Sequence, residues 1–247
     1  MSLLFAYSGV EAPLQQCLEG LAVPSKETVG SWGLGCYDGV DAQRVRDPLM
    51  AGLVAGFVER HASGCALLLS QQLAPQEPPA GLANCQPFAR ELMGCMHLFV
   101  MEGELAGLED SRAYPTGVYT PIGETSAEHA FCVLMSRMRV LWQDDKPLPE
   151  VRLAVVSDFA ARMRPLGLAN FVYADSELLF AHGQGKPDDP QQPGLYLHQS
   201  EGAVRIASQA PGDAGWQGLE PGEVLVVRRG KVLERCAPFK LWSQQPD

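Results

Sequence analysis

Apolar positions recur along this chain in two rhythms, unbroken short runs and helical stripes. Leu3 to Ser8 is a continuous apolar run that reads as a buried strand, Pro13 to Leu21 reads as a helix, and Trp32 to Tyr37 as a second strand. Asp38-Gly39 follows, and Asp-Gly between apolar runs is a strong hairpin signal, so Val40 to Val45 is the expected partner strand. Leu49, Leu53, Phe57 and Val58 space as a helix over Leu49 to Arg60, whereas Cys65 to Leu69 is apolar throughout and short enough for a strand. Pro75, Pro78, Pro79 and Gly81 make Ala74 to Ala83 a loop, after which Met96 to Met101 returns to strand character.

Two helices come next. Thr125 and Glu128 form a T-x-x-E capping box, with Ala127, Ala130, Phe131, Leu134, Met138 and Leu141 as the apolar stripe behind it. Leu148, Val151, Val155, Phe159 and Met163 form a second stripe that stops at Pro165 and Gly167. Short strands then follow over Phe171 to Tyr173, Leu178 to Ala181, Leu195 to His198, Val204 to Ser208 and Val224 to Val227. The exposed loop from Gly183 to Gly194 is too short to link domains. Strands, a helical pair and strands again predict an α+β fold of stacked sheets flanked by helices, as one domain over residues 1–247.

Composition narrows the function. A net charge of −10 argues against a nucleic-acid partner, because phosphate binding needs clustered Lys and Arg. Arg44 with Arg46, Arg137 with Arg139, and Arg228, Arg229 and Lys231 are short groups that read as solvated faces. Seven cysteines lie scattered without metal-ligand spacing, mostly inside apolar runs where a free thiol acts as a small hydrophobe. Their odd number and the absence of a charged leader predict a reducing, cytoplasmic setting. No uncharged run approaches the roughly 20 apolar residues of a membrane span. Neither a metal nor an organic cofactor is expected.

Three ordered segments carry the candidate chemistry: Asn84-Cys85-Gln86-Pro87-Phe88, then Leu98 to Leu105 with Glu102-Gly103 at its turn, then Gly123-Glu124-Thr125-Ser126-Ala127-Glu128. With Trp32-Gly33 near the start and Pro221-Gly222 late, they make the chain resemble the class II glutamine amidotransferases, over nearly its whole length and most closely the stand-alone bacterial members. The resemblance implies the four-layer αββα sandwich of the N-terminal nucleophile hydrolases. It also implies a scheme in which a cysteine exposed by loss of Met1 attacks the glutamine amide, with its own α-amine as base. An Asn and a Gly N–H stabilise the oxyanion, and an Arg and an Asp hold the substrate's head group.

Carried over residue by residue, the scheme meets altered chemistry. The nucleophile position holds Ser2, and the Arg position holds Leu73, or Gln72 with a one-residue shift. The oxyanion Asn is Glu102, the Asp is Ser126, and Gly103 alone of the five is kept. An oxyanion donor is ordinarily worth about 2.7–4 kcal/mol of transition-state stabilisation, and a carboxylate in its place repels the developing charge. The expectation is a domain that has lost glutaminase activity and serves as a binding, regulatory or scaffold unit for a protein or small-molecule partner that no sequence feature identifies. The alternative is an amidohydrolase with Ser2 as nucleophile and a substrate without the amino-acid head group. A third possibility keeps the glutaminase and recruits an arginine from elsewhere, such as Arg90. Glu102 reads as a solvated strand-end residue or, in a remodelled pocket, a cation ligand. Gln86 shapes a turn, Cys85, His97 and His129 are structural, and Met96, Met101, Met135 and Met138 fill the core.

Overall fold

The computed structural model describes residues 2–13, 17, 30–48, 62–72, 81–143, 145–185, 189, 192–210, 212 and 215–238. The strands are β1 (Ser2–Pro13), β2 (Gly30–Asp38), β3 (Asp41–Asp47), β4 (Ala62–Gln72), β5 (Phe88–Leu92), β6 (Cys95–Glu102), β7 (Asn170–Ala174), β8 (Leu179–Gly183), β9 (Tyr196–Ser200), β10 (Ala203–Ala207), β11 (Gln217–Gly218), β12 (Glu223–Arg228) and β13 (Lys231–Cys236). They form a sheet ordered β11-β9-β10-β1-β4-β2-β3 and a sheet ordered β13-β12-β8-β7-β6-β5, with antiparallel neighbours.

Unbroken apolar runs arise because the inner strands are buried on both faces. In β1, Leu4 and Ala6 point between the sheets, while Phe5 and Tyr7 join Trp32, Leu34 and Cys36 on the opposite face. In β6, Leu98 and Val100 point between the sheets, and Phe99 and Met101 point toward the helices α1 (Ser126–Leu141) and α2 (Pro149–Met163). Phe131, Leu134, Met138, Val156 and Phe159 meet that face. The order is therefore helices, sheet, sheet, and a further apolar face that includes Cys17, in agreement with the expected α+β sandwich. The helices expected over Pro13 to Leu21 and Leu49 to Arg60 lie outside the described residues, apart from Pro13 and Cys17. No helix among those described is long and apolar enough to cross a membrane.

Several local expectations need correction. Helix α2 is rotated: Leu148 is 68% exposed and Val151 40%, whereas Arg152 is 1% exposed. The cause is an ion pair, since Arg152 Nη1 donates to Asp175 Oδ2 at 2.7 Å and Nη2 to Glu177 Oε2 at 2.9 Å. In α1 the stripe ends on buried Trp142 rather than on exposed Leu141. Strands β5 and β13 were not foreseen, because charged residues interrupt both. Both lie at sheet edges, where charge is tolerated.

The arginine groups are engaged as well as solvated. Arg46 Nη1 donates to Leu82 O and Cys85 O at 3.2 and 3.1 Å, and Arg44 Nη1 to Pro87 O at 3.3 Å. Arg137 pairs with Asp158, and Arg228 with Glu177. Glycine completes the docking of the 82–87 segment: a Cβ on Gly33 would stand 1.8 Å from Gln86 O.

Candidate functional site

Strand β1 lies inside the larger sheet between β10 and β4; Ser2 pairs with Gln71 of β4, while the β10 ladder starts at Phe5. Glu102 closes β6 two residues beyond Val100, so the pleat turns it toward the other sheet, where β1 begins. The two meet: Ser2 Oγ donates to Glu102 Oε1 at 2.7 Å. Gln209, just beyond β10, donates from Nε2 to Ser2 O at 2.9 Å, and Ser208 secures β1 by accepting from Leu4 N at 3.0 Å. Glu102 is half-buried and accepts a hydrogen bond from the Ser2 hydroxyl, a contact that neither its reading as a solvated strand end nor the one as a cation ligand includes.

Gly103 follows at φ +116, and a Cβ there would come within 2.1 Å of Leu168 O. The close approach and the backbone angle both demand glycine. The Leu168 turn is held from behind by Gln184, whose Oε1 accepts from Ala169 N at 3.1 Å and whose Nε2 donates to Gly167 O at 3.0 Å. Asn170, opposite Glu102 in the ladder, is 2% exposed and accepts from Gln184 N at 2.7 Å. Sequence reasoning missed Asn170, Gln184 and Gln209; a polar residue opening the apolar run Asn170 to Ala174 was the available sign for the first.

The remaining predicted positions are engaged in structure. Gln86 is buried and acts as a stretch of strand: Nε2 donates to Met101 O at 3.0 Å while Oε1 accepts from Met101 N at 2.6 Å. It therefore sets the backbone immediately before Glu102. Ser126 Oγ accepts from Leu105 N at 3.2 Å. Leu73 lies outside the described residues. Ser2, Glu102 and Gly103 are thus brought together, Gln86 supports them from behind, and Ser126 is committed to the following turn.

The Gly-Glu-Thr-x-x-Glu segment departs from a simple capping box. Thr125 Oγ1 accepts from Glu128 N at 3.2 Å, as expected. The Glu128 carboxylate, 1% exposed, turns instead to Ile122 N at 3.0 Å, Gly123 N at 2.6 Å and the Arg90 guanidinium. Arg90 also donates to Ala89 O and Thr120 O, so it is a structural cation here. Asn84 Oδ1 accepts from Glu124 N at 2.8 Å, tying the first motif segment to the third.

Cys85 and His97, in the motif region, are both buried. Cys85 is 1% exposed, and burial raises its thiol above the ordinary range. His97 is fully buried, with Nδ1 2.6 Å from Tyr173 Oη, and burial first, then Lys146 and Arg152, lowers it to about 3. Chemically, the centre is a hydroxyl of one sheet donating to a carboxylate of the other. An ionised carboxylate only accepts hydrogen bonds, so it cannot serve an oxyanion as donor.

Comparison with known proteins agrees with the motifs. The profile of the class II glutamine amidotransferases matches residues 1–188. YafJ of Escherichia coli (strain K12), provisionally named a glutamine amidotransferase, is 24% identical over 153 residues, 61% of this chain and 59% of that protein. The crystal structure of a predicted glutamine amidotransferase from Pseudomonas aeruginosa superposes with a TM-score of 0.65 at 23% identity, covering 95% of this chain and 100% of the other. The glutamine phosphoribosylpyrophosphate amidotransferase from B. subtilis gives 0.68 at 15% identity, covering 94% of this chain and 48% of the other. The chain thus spans about three fifths of the E. coli relative's length.

Proposed function

This chain belongs to the class II glutamine amidotransferases, and we propose that within that family it has given up glutamine hydrolysis and works as a binding, regulatory or scaffold unit. One observation carries the reading: Ser2 Oγ donates to Glu102 Oε1 at 2.7 Å. The family scheme needs a donor at this position to receive negative charge. Here an acceptor already holds the hydroxyl, and a carboxylate beside a tetrahedral oxyanion raises its energy. Ser126 adds no charge for an α-ammonium, and its oxygen is engaged by Leu105 N.

The test is ammonia and glutamate release from glutamine at high protein concentration. Release at the level of a blank, unchanged in Ser2→Ala, is the expected result; turnover that Ser2→Ala abolishes would refute the reading. The same contact is compatible with a second reading, in which Ser2 is the nucleophile, its own α-amine is the base and Glu102 orients the hydroxyl. On that reading the substrate is an amide without a free amino-acid head group, and Ser2 needs a free α-amine. Intact-mass measurement separates the two, since Met1 retained in full blocks the fold's usual chemistry and removes this alternative.

A further inference from the structure

At the opposite end of β6 from Glu102, the β5–β6 turn, the loop before α1 and the last turn of α1 enclose a cleft of about 420 Å³. Seven residues separate it from Glu102 along the strand, roughly 23 Å at a strand's rise. It is a site apart from Ser2. Three apolar side chains on its walls stand in water: Val118 and Val140 are 65% exposed and Met93 54%. The floor is Trp142, 3% exposed, with the His97 ring packed edge-on at 5.0 Å and the Arg152 guanidinium 5.6 Å from its centroid. That ring is held in place before any ligand arrives.

Charge is the second element. Arg139 lines the cleft and forms no ion pair among the described residues. Its neighbours on the helical layer do: Arg137 and Arg162 share Asp158, and Lys146 meets Glu177. Arg139 is the one charged side chain among the described residues that line the cleft, on a chain whose net charge is −10. Gln143 adds a polar side chain to the same lining.

We propose that this cleft binds a small organic carboxylate with an apolar body, the body packing between the exposed side chains of Val118, Val140 and Met93, and the carboxylate on the Arg139 guanidinium. The planar guanidinium fork matches a carboxylate bidentately, and a single cation balances a single charge. A phosphate dianion would keep one charge uncompensated. The volume lies within the range of small-molecule sites.

The experiment is calorimetric titration of the full chain with 4-phenylbutanoate, and with 4-phenylbutan-1-ol as its neutral counterpart. The carboxylate saturates one site and binds at least about tenfold more tightly than the alcohol, as a charged hydrogen-bonded pair provides. Arg139→Gln removes that preference while the alcohol's affinity stays, and Arg139→Lys, which keeps the charge but loses the fork, falls between. Val140→Asp, at an exposed position, weakens both probes. Equal affinity of the two probes, an Arg139→Gln variant that still prefers the carboxylate, or no saturable binding below about 10 mM would overturn the assignment. Circular dichroism of each variant separates lost binding from lost folding.

Discussion

Gln86 shows how much one side chain can settle. With one amide it satisfies both backbone groups of Met101, substituting for a neighbouring strand that the segment lacks. Gln86→Ala would leave both groups buried without partners, at a cost of about 2–4 kcal/mol measurable by urea unfolding. The sequence marked this position through the motif around it, yet only as the shape of a turn, because nothing in Gln86-Pro87-Phe88 states which backbone a side-chain amide will reach. Glu102 was visible in the same limited way. Its identity and strand-end position were legible, whereas its contact with Ser2 joins residues 100 positions apart and depends on how two sheets stack. Asn170 and Gln209 belong to no motif, so only the fold could bring them to the site.

Helix α2 makes the corresponding point for an element. Its existence and approximate limits follow from apolar spacing, but its facing does not, because a charged residue occupies the innermost position. Spacing rules assign arginine to solvent. They fail here because Arg152 finds Asp175 and Glu177 beneath the helix. Asp175→Ala would leave the buried guanidinium with Glu177 as its remaining carboxylate and cost about 3–5 kcal/mol, as read by chemical denaturation; replacing both Arg152 and Asp175 with leucine would recover part of that loss. Gly33 governs another element, the 82–87 segment that rests on β2. Gly33→Ala would force Gln86 O away from a Cβ that has no room, lowering stability by about 1–3 kcal/mol. The continuous apolar strands and the cap at Thr125 were legible, since both depend on local pattern. Strand β5 was hidden by Arg90 and Glu91, two charged residues on an edge strand.

Taken together, the molecule carries an acid sensitivity that composition does not reveal. Burial holds His97 near 3 and, with Arg164 adding to it, His182 near 4, against an ordinary 6.5. Between those limits the unfolded chain takes up protons that the folded one refuses. Stability therefore falls as pH drops from 6.5, by about 1.4 kcal/mol per pH unit for each such histidine. Glu177 adds to the effect lower down: burial raises its pKa, but Arg152 and Lys146 outweigh that and hold it at about 2, so its contribution is lost as pH falls below 4.5. Urea unfolding at pH 7 and pH 5 should show His97→Phe losing about 2 kcal/mol less than the parent over that interval. The sheet order has a consequence for how the chain is made. Leu4 is bonded to Ser208, 204 residues away, so β1 waits for β10 before its ladder can close on that side. At ribosomal speeds of about 5–20 residues per second the wait is roughly 10 to 40 s, with Leu4, Phe5 and Tyr7 unsheltered meanwhile. Slower translation or scarce chaperone should therefore lower the soluble yield more than any single surface substitution does.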